Sequence, residues 1–277
     1  MSHALVTIPR VQWPLLRDLY KAHRKSSTAY SFLQCLINWV THNPQLDVHL
    51  YSLDGDWQDD GTFLGSDHGV WYANTLAVSK LRLLDALNLL DKRVSYIICG
   101  FPERVRLVVE QHFLDQGLRN EDIRLLKTYW YHLDKHLALK YRIDTPKGFI
   151  LKRLLPCNAQ MVDDHWPYHG LETIHYVERL IRYNDSVGVF NKKHELVAWC
   201  LLLPHGALGM LQVLEGYRRR GIGSLLVRYM AKLLASYDLE VMAPVVHDNL
   251  IFRGMFKKLG FKVVDKTYWA HKPAVFE

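Results

Sequence analysis

One stretch constrains the fold of this chain more than any other: an apolar strand, a basic glycine turn and an amphipathic helix follow one another without interruption. The apolar run extends from Met210 to Leu214, and the turn reads Tyr-Arg-Arg-Arg-Gly-Ile-Gly at 217–223. Apolar residues then recur at helical spacing from Ile222 to Leu234. Such a turn leaves backbone N–H groups unpaired at the positive end of a helix dipole, so it predicts an anion site whose shape suits a pyrophosphate.

Two common nucleotide-binding motifs do not fit this turn. A Rossmann fingerprint needs a third glycine at position 226, which is Leu226, and a Walker A loop needs a lysine that Gly221-Ile-Gly-Ser224 lacks. An arginine run alone is typical of a solvated surface or a nucleic-acid contact. The spacing therefore indicates a phosphate site of another type.

A second motif follows one strand later. After an apolar strand at 239–246, the chain continues with Asn249, then Phe256, then Gly260-Phe261. An Arg-x-x-Gly-x-Gly turn followed by asparagine, an aromatic residue and Gly-Phe resembles the two cofactor motifs of the GNAT superfamily of acyl-CoA-dependent N-acyltransferases. Both motifs occur in the family's order with one strand between them.

The region upstream is similar to one branch of that superfamily, the glycine N-acyltransferases. The residues that carry this similarity are Asn158-Ala159 with Trp166, Val177-Glu178-Arg179 with Ile181, and Val197-Ala198-Trp199. The segment Asp54–Trp57 resembles the N-terminal half of that branch more loosely. The resemblance covers most of the chain, being specific in the second half and diffuse in the first.

The alternation of elements predicts a mixed α/β fold. The turn at Thr145–Gly148 is the best boundary, so we expect one domain at 1–145 and a second at 146–277. The resemblance implies a GNAT-type mixed sheet flanked by helices in the second, and a smaller, degenerate GNAT-like unit in the first. In the N-terminal half the periodicity predicts helices at 11–24, 27–42, 79–91, 102–117 and 121–127, and strands at 48–53 and 94–99. In the C-terminal half it predicts strands at 149–154, 186–190, 195–203, 207–214 and 239–246, and a last strand pair ending near Ala270. The C-terminal helices are expected at 157–165, at 171–184, after the glycine turn and after Asn249.

The resemblance implies a role for each matched position. Backbone N–H groups of six consecutive residues would hold the CoA pyrophosphate: Arg219, Arg220, Gly221, Ile222, Gly223 and Ser224. The side chains of Arg218 and Arg220 would add charge there. Val213 and Leu214 would align the pantetheine arm along the strand edge, and a backbone N–H near Val213 would polarise the acyl carbonyl. Asn249 would contact the arm from the opposite wall.

Two positions depart from the family's pattern, and both concern catalysis. Where the superfamily often has a tyrosine that protonates the departing thiolate, this chain has Phe256. Where glycine N-acyltransferases are thought to have a glutamate base after a glycine, it has Ala207. The candidate replacement is His205 in the same turn, because a histidine with a pKa of about 6.5 accepts a proton readily. The alternative is that His205 is an exposed residue at the tip of a hairpin.

These features predict a glycine N-acyltransferase-like enzyme with its usual base and acid missing. It would move an acyl group from acyl-CoA or acetyl-CoA, its cosubstrate, to the amine of a small acceptor such as glycine, without a metal. Two alternatives remain: a GNAT acetyltransferase for another amine or a protein lysine, and a non-catalytic acyl-CoA-binding protein. Nucleic-acid binding by the arginine run is a more distant one, which would depend steeply on salt.

Charge and composition agree with a small anionic ligand. The balance of 35 basic and 28 acidic residues gives +7, which suits CoA esters. No zinc-finger spacing or RNP-type aromatic cluster favours a nucleic-acid partner. No apolar run approaches the roughly 18 residues of a membrane span, so we expect no membrane partner either. The sequence does not indicate an oligomeric state.

Four scattered cysteines without a C-x-x-C spacing favour a reducing, intracellular compartment: Cys35, Cys99, Cys157 and Cys200. The basic residues before position 26 resemble a mitochondrial presequence, yet the same segment also has the pattern of an amphipathic helix. The choice between cytoplasm and mitochondrion therefore stays open.

Overall fold

The computed structural model describes residues 3–170 and 173–275. Contacts divide the chain into two compact units: unit 1 comprises Met1–Tyr129 with Asp265–Glu277, and unit 2 comprises Trp130–Val264. The chain enters unit 2 within one strand and leaves it within another. The boundary expected between residues 145 and 146 lies inside unit 2, and the division into two domains at that point stays a prediction.

Helices and strands alternate along the whole described chain. The N-terminal elements are β1 (Leu5–Thr7), α1 (Trp13–Leu19), α2 (Ala29–His42), β2 (Val48–Leu53), β3 (Phe63–Asp67), β4 (Val70–Asn74), α3 (Leu81–Asn88), β5 (Tyr96–Pro102), α4 (Arg106–Asp115) and β6 (Leu125–Leu133). The C-terminal elements are α5 (Lys135–Leu139), β7 (Ile150–Lys152), α6 (Ala159–Asp164), α7 (Thr173–Tyr183), β8 (Ser186–Phe190), β9 (Leu196–Leu202), β10 (Leu208–Val213), α8 (Ile222–Ser236), β11 (Val241–Val246), α9 (Leu250–Lys258) and β12 (Lys262–Lys272).

Unit 1 is built on a mixed sheet in the order β1-β2-β3-β4-β5-β12-β6. Strands β1 to β4 are antiparallel neighbours, whereas β4 and β5 run parallel with Val70 opposite Ile97. Helix α3 makes the crossover that a parallel pair requires. The core lies where α3 and α4 pack against the sheet, and its fully buried members include Leu83, Leu87, Ile98, Val105, Val109 and Phe113.

Three strand features differ from the sequence-based expectation. No strand is predicted for 62–78, yet β3 and β4 form a hairpin there through His68 and Gly69, whose positive φ values suit a two-residue turn. The helix predicted at 121–127 is wrong, because a short 3-10 helix at Asn120–Asp122 leads into β6. The predicted final strand pair is also wrong: β12 is one uninterrupted strand, antiparallel to β5.

Unit 2 contains a four-stranded antiparallel sheet in the order β10-β9-β8-β7. Strand β11 does not belong to this four-stranded sheet but lies beside β6. Helix α8 covers the strands with an apolar stripe, since its buried residues follow helical spacing: Ile222, Leu225, Leu226, Val227, Met230, Ala231, Leu234 and Ala235. The helix predicted after the glycine turn is thereby confirmed, and this stripe fixes its N-terminus at the end of β10.

Candidate functional site

The two parallel strands of unit 2, β10 and β11, are joined by a single β-bridge. A bridge joins Ala207, just before β10, to Met242 in β11, and beyond it the strands belong to different sheets. The pairing of β10 with β9 is interrupted between Gly209 and Gln212, where Met210 has a φ of 48°. Beyond the bridge the facing edges of β10 and β11 do not pair with each other. We call the unpaired space between the two strands, from the bridge toward the starts of α8 and α9, the opening.

The residue at the start of the bulge, Gly209, packs closely against a side chain of the preceding turn. A Cβ on Gly209 would lie 2.3 Å from Leu203 Cδ1, so only glycine lets the Leu203 side chain pack against β10 there. In the described chain no backbone hydrogen bond joins residues 209–213 to β11. The edge of β10 can therefore accept an extended molecule with amide groups, as a sheet edge accepts an added strand.

The turn after β10 presents backbone donors at the start of α8. Arg219 and Gly221 have φ values of 60° and 75°, and Gly221 occupies the N-cap position without a side-chain cap. The first turn of the helix is closed by the Leu225 N–H, which donates to the Gly221 carbonyl at 3.0 Å. Within the described residues, no acceptor is recorded for the N–H groups of 222–224. They are the donors that an anion at a helix N-terminus uses.

Gly223 lies in the first turn of α8, within van der Waals reach of two neighbouring segments. A Cβ there would stand 3.6 Å from Met255 Sδ and 3.7 Å from Val213 Cγ2. The start of α8 therefore lies between the end of β10 and the middle of α9. We call the turn and first helical residues, 217–224, the cradle.

The three arginines of the cradle have different surroundings. Arg218 donates from Nε to the Val213 carbonyl at 3.0 Å, so it ties the turn to the end of β10. The Arg220 guanidinium lies over the Tyr217 ring at 5.5 Å from its centroid. Both are exposed, as is Arg219. The cradle combines backbone donors with two exposed guanidinium groups that have no carboxylate partner recorded in the described chain.

A cavity of about 370 Å³ adjoins the cradle on the side of the β8–β9 hairpin. Its lining includes Tyr217 and Arg220 from the cradle, Phe149 before β7, and lysines of the hairpin tip. The tip is ordered by Asn191, whose Oδ1 accepts from the Lys193 N–H at 2.9 Å and whose Nδ2 donates to the Tyr217 hydroxyl at 3.0 Å. The hairpin is thereby fixed to the residue that precedes the arginines.

Asn249 is the N-cap of α9. Its Oδ1 accepts from the Phe252 N–H at 3.0 Å, the bond that stabilises a helix start. Since the cap uses only the oxygen, the Nδ2 group can still donate to a ligand at the edge of the opening. The expected pantetheine contact stays a prediction.

The two positions at which the resemblance implies an acid and a base have apolar residues. Phe256 is 4% exposed and packs against the rings of Tyr131 and Phe261, with centroids 5.9 and 4.9 Å away. Ala207 is fully buried in a cluster with Trp130 and Met242. Neither position provides a group that can exchange a proton.

His205 is buried, so the alternative that it is an exposed residue at the hairpin tip is wrong. It is 3% exposed and its ring centroid lies 5.4 Å from that of Trp130. Burial lowers the pKa of His205 to about 3, because the charged imidazolium loses its hydration. The side chain is neutral at pH 7 but accepts a proton poorly, which weakens the case for it as a base.

A carboxylate and a histidine that the sequence analysis does not single out meet in unit 2. His132 Nε2 lies 2.9 Å from Glu240 Oε2, and Lys135 Nζ lies 3.6 Å from Glu240 Oε1. The Glu240 side chain is 4% exposed and that of His132 15%. They lie toward the N-terminal end of β11, away from the cradle. The signal was the alternation along 128–133, where Thr128, Trp130 and His132 share one strand face.

The described residues hold no group of three or more potential metal ligands. Likewise, none of the helices within 3–170 and 173–275 has the length and apolar character needed to cross a membrane. Aromatic residues of unit 2 differ in burial. Trp199 is a core residue at 1% exposure, whereas Tyr168 is 52% exposed, and Trp166 stacks on Tyr176 with centroids 6.1 Å apart.

Comparisons with known proteins agree with this architecture. Residues 186–270, which include the cradle and both strands of the opening, match the family model "FR47-like protein". No curated protein matches the chain by sequence.

Solved structures match over nearly the full length. A Drosophila protein from a structural genomics programme aligns with 97% of this chain and 98% of its own, with a TM-score of 0.87 and 23% identity. A tandem GNAT protein from the clavulanic acid biosynthesis pathway covers 99% of both chains, with a TM-score of 0.59 and 14% identity. A GCN5-related N-acetyltransferase from Sphaerobacter thermophilus covers 100% of this chain and 98% of its own, with a TM-score of 0.53 and 11% identity.

The chain therefore has the two-half fold of tandem GNAT proteins. The expected fold class, a GNAT-type mixed sheet flanked by helices with a GNAT-like N-terminal half, is confirmed. More particularly, residues 186–270 are similar to the FR47-like family model, a match that agrees with the resemblance to the GNAT superfamily drawn from the two sequence motifs.

Proposed function

We propose that this protein is an acyl-CoA-dependent N-acyltransferase of the glycine N-acyltransferase type. The observation that carries the proposal is the opening between β10 and β11 that ends at the cradle. A strand edge for an amide-bearing arm leads there to backbone donors for a diphosphate. CoA has both parts in this order.

The residues have the following roles in this proposal. The N–H groups of Arg219, Arg220, Gly221, Ile222, Gly223 and Ser224 bind the diphosphate, and the guanidinium groups of Arg219 and Arg220 balance its charge. Arg218 holds the cradle against the end of β10. Val213 and Leu214 align the pantetheine arm, and Asn249 donates to it from the start of α9. The donor is acyl-CoA or acetyl-CoA, and no metal takes part.

Transfer then requires few groups. The neutral amine attacks the thioester carbon, and a backbone N–H of β10 between the bulge and Val213 stabilises the oxyanion. The nitrogen of this tetrahedral adduct is positively charged and gives up a proton to solvent. The C–S bond then breaks, so that the thiolate leaves and the amide forms. Holding both reactants in line can lower the activation barrier by up to about 7–11 kcal/mol. Phe256 cannot protonate the thiolate, but a thiol of pKa about 8.5 is a tolerable anionic leaving group.

The amine must be neutral when it attacks, so a proton acceptor is required first. His205 stays the candidate from sequence, although its lowered pKa makes it a weak acceptor. The amine can instead lose its proton to bulk water or buffer before binding. A rate that rises with pH toward the pKa of the free amine would support this second route.

A free-thiol assay tests the function. Purified protein is mixed with acyl-CoA thioesters of several chain lengths and with glycine, other amino acids, arylalkylamines or a lysine peptide. Release of CoA that depends on glycine supports the proposal, and release that depends only on another amine supports a different GNAT acceptor.

A second candidate function, a non-catalytic acyl-CoA-binding protein, is favoured by one set of observations: an alanine at 207, a buried phenylalanine at 256 and a histidine with a lowered pKa at 205. Calorimetric binding of acyl-CoA without thiol release for any acceptor would support it. Absence of both binding and turnover would contradict both functions.

A further inference from the structure

The cavity beside the cradle carries an unusual density of positive charge. Its lining includes Lys147, Lys192, Lys193 and Arg220 against one carboxylate, Glu195. These cations come from three separate segments, at 147–149, 191–195 and 217–220. The charges of these three segments therefore line one concavity.

Local geometry keeps these segments together. Gly148 has a φ of 89°, and a Cβ there would lie 3.0 Å from Lys192 Cε, so the lysine stem lies across the glycine. Asn191 Nδ2 lies 2.7 Å from Glu195 Oε2 and 3.0 Å from the Tyr217 hydroxyl. The lining thus contains four cations and one carboxylate, Glu195, which accepts a hydrogen bond from the Asn191 amide, so the net formal charge of the lining is positive.

The cavity shares a residue with the cradle. Arg220 belongs to the turn that precedes α8 and also lines the cavity, and its guanidinium covers the Tyr217 ring. The Tyr217 ring in turn meets Phe149 edge-on at 6.0 Å. A phosphate bound at the cradle and a second phosphate in the cavity would therefore have one arginine between them.

We propose that this cavity binds the 3′-phosphate of CoA and so selects complete CoA thioesters over donors that lack the 3′-phosphoadenosine end. The inference rests on the proposed function. Only the ribose carbons C3′, C4′ and C5′ separate the 3′-phosphate from the diphosphate, so it must lie next to the cradle. A phosphomonoester carries nearly two negative charges at pH 7, which matches the lysines at 147, 192 and 193.

A second cationic cavity in unit 2, of about 460 Å³, is too far along α8 for this role. It is lined by Lys140, Arg142, Arg228 and Lys258, among others. Arg228 lies seven residues after Gly221, which is about 10 Å along the helix axis. It supplies the matched control, since it has similar charge and no contact with the cradle.

The experiment compares CoA with 3′-dephospho-CoA by isothermal titration calorimetry at fixed ionic strength. The wild type is expected to bind CoA about tenfold or more tightly than 3′-dephospho-CoA, because charge-assisted contacts to phosphate are lost. The Lys192→Ala/Lys193→Ala variant should lose this preference while it binds 3′-dephospho-CoA as the wild type does. The Arg228→Ala/Lys258→Ala variant should keep the preference.

Each outcome decides the inference separately from the function. Equal wild-type affinity for the two ligands overturns the 3′-phosphate site but leaves the acyltransferase proposal standing. Loss of the preference in Arg228→Ala/Lys258→Ala alone assigns the 3′-phosphate to the other cavity and also overturns the inference. Failure of both ligands to bind wild-type protein contradicts the proposed function itself. Binding of inorganic phosphate that is abolished in Lys192→Ala/Lys193→Ala, without any preference for CoA, would assign the cavity to a free phosphorylated ligand and overturn it too.

Discussion

The burial of His205 leads to a quantitative prediction about stability and pH. Its pKa is lowered to about 3 in the folded chain by loss of hydration, whereas an unfolded histidine has a pKa of about 6.5. The folded state therefore holds this ring neutral while the unfolded state takes up a proton below pH 6.5. Stability from this residue is fully present above that pH and is lost as the pH falls toward 3.

The size of the loss follows from the two pKa values. Each pH unit between them costs about 1.4 kcal/mol, so lowering the pH from 7.5 to 5.0 removes about 2 kcal/mol of unfolding free energy through His205. His112 of unit 1, with a pKa lowered to about 4 by burial, contributes a loss of similar size. The contribution of His205 must therefore be measured as a difference between variants.

Urea unfolding of the wild type and of His205→Asn at both pH values measures it. The drop in unfolding free energy between pH 7.5 and 5.0 should be about 2 kcal/mol smaller in His205→Asn. His194→Asn, at an exposed turn position, should leave the drop unchanged. An equal drop in His205→Asn and wild type, or an NMR titration of the His205 ring near pH 6.5, would refute the argument and restore His205 as a candidate base.

Three further predictions concern the cradle and its surroundings. Gly221→Ala should weaken CoA binding, measured by calorimetry, about fivefold or more. The reason is that a φ of 75° costs a residue with a side chain about 1–2 kcal/mol, and a turn that relaxes from this conformation misplaces the N–H donors. Gly254→Ala, on an exposed part of α9 with open space around it, is the control, and equal CoA affinities of Gly221→Ala and wild type would contradict the assignment of the cradle. Calorimetric titration should give one CoA per chain. In unit 1 the turn between β4 and α3 joins a strand to a helix as the cradle does, but it has no glycine, and Lys80 Nζ there donates to the carbonyls of Ala77 and Val78. Two equivalents of bound CoA would show a second site. Asn249→Ser should keep the α9 cap, and hence the melting temperature, while CoA affinity falls through loss of the amide donor; unchanged affinity would leave Asn249 as a cap alone.

Local sequence predicts the cradle well because its geometry depends on neighbouring residues. Gly221 supplies the left-handed turn, and the apolar stripe sets the position of α8. Each of these is a property of a few consecutive residues. The GNAT motifs are therefore readable without knowledge of the rest of the fold.

Strand pairing between distant residues is not readable in the same way. The sequence analysis predicts a last strand pair ending near Ala270, but β12 is a single strand whose partner β5 lies more than 150 residues earlier. Likewise, the stretch 121–133 contains apolar residues at spacings that fit a helix at first, and only its place beside β12 in unit 1 makes Leu125–Tyr129 a strand. Tertiary contacts override local preference in both segments.

The environment of a side chain is equally inaccessible to sequence, and His205 shows what this costs the functional argument. A histidine between proline and glycine in a hairpin turn is expected at the surface with an ordinary pKa. The contact with Trp130 and the bridge between Ala207 and Met242 instead enclose it. The same bridge buries Ala207, the position at which the resemblance implies a glutamate base, and also marks where β10 and β11 begin to separate. The opening and the apolar residue at position 207 thus arise from one local arrangement. A carboxylate introduced by Ala207→Glu would be buried beside the bridge to Met242, at a cost of several kcal/mol. A base for this site is therefore better sought on the acceptor itself or in solvent than at the position where the family has its glutamate.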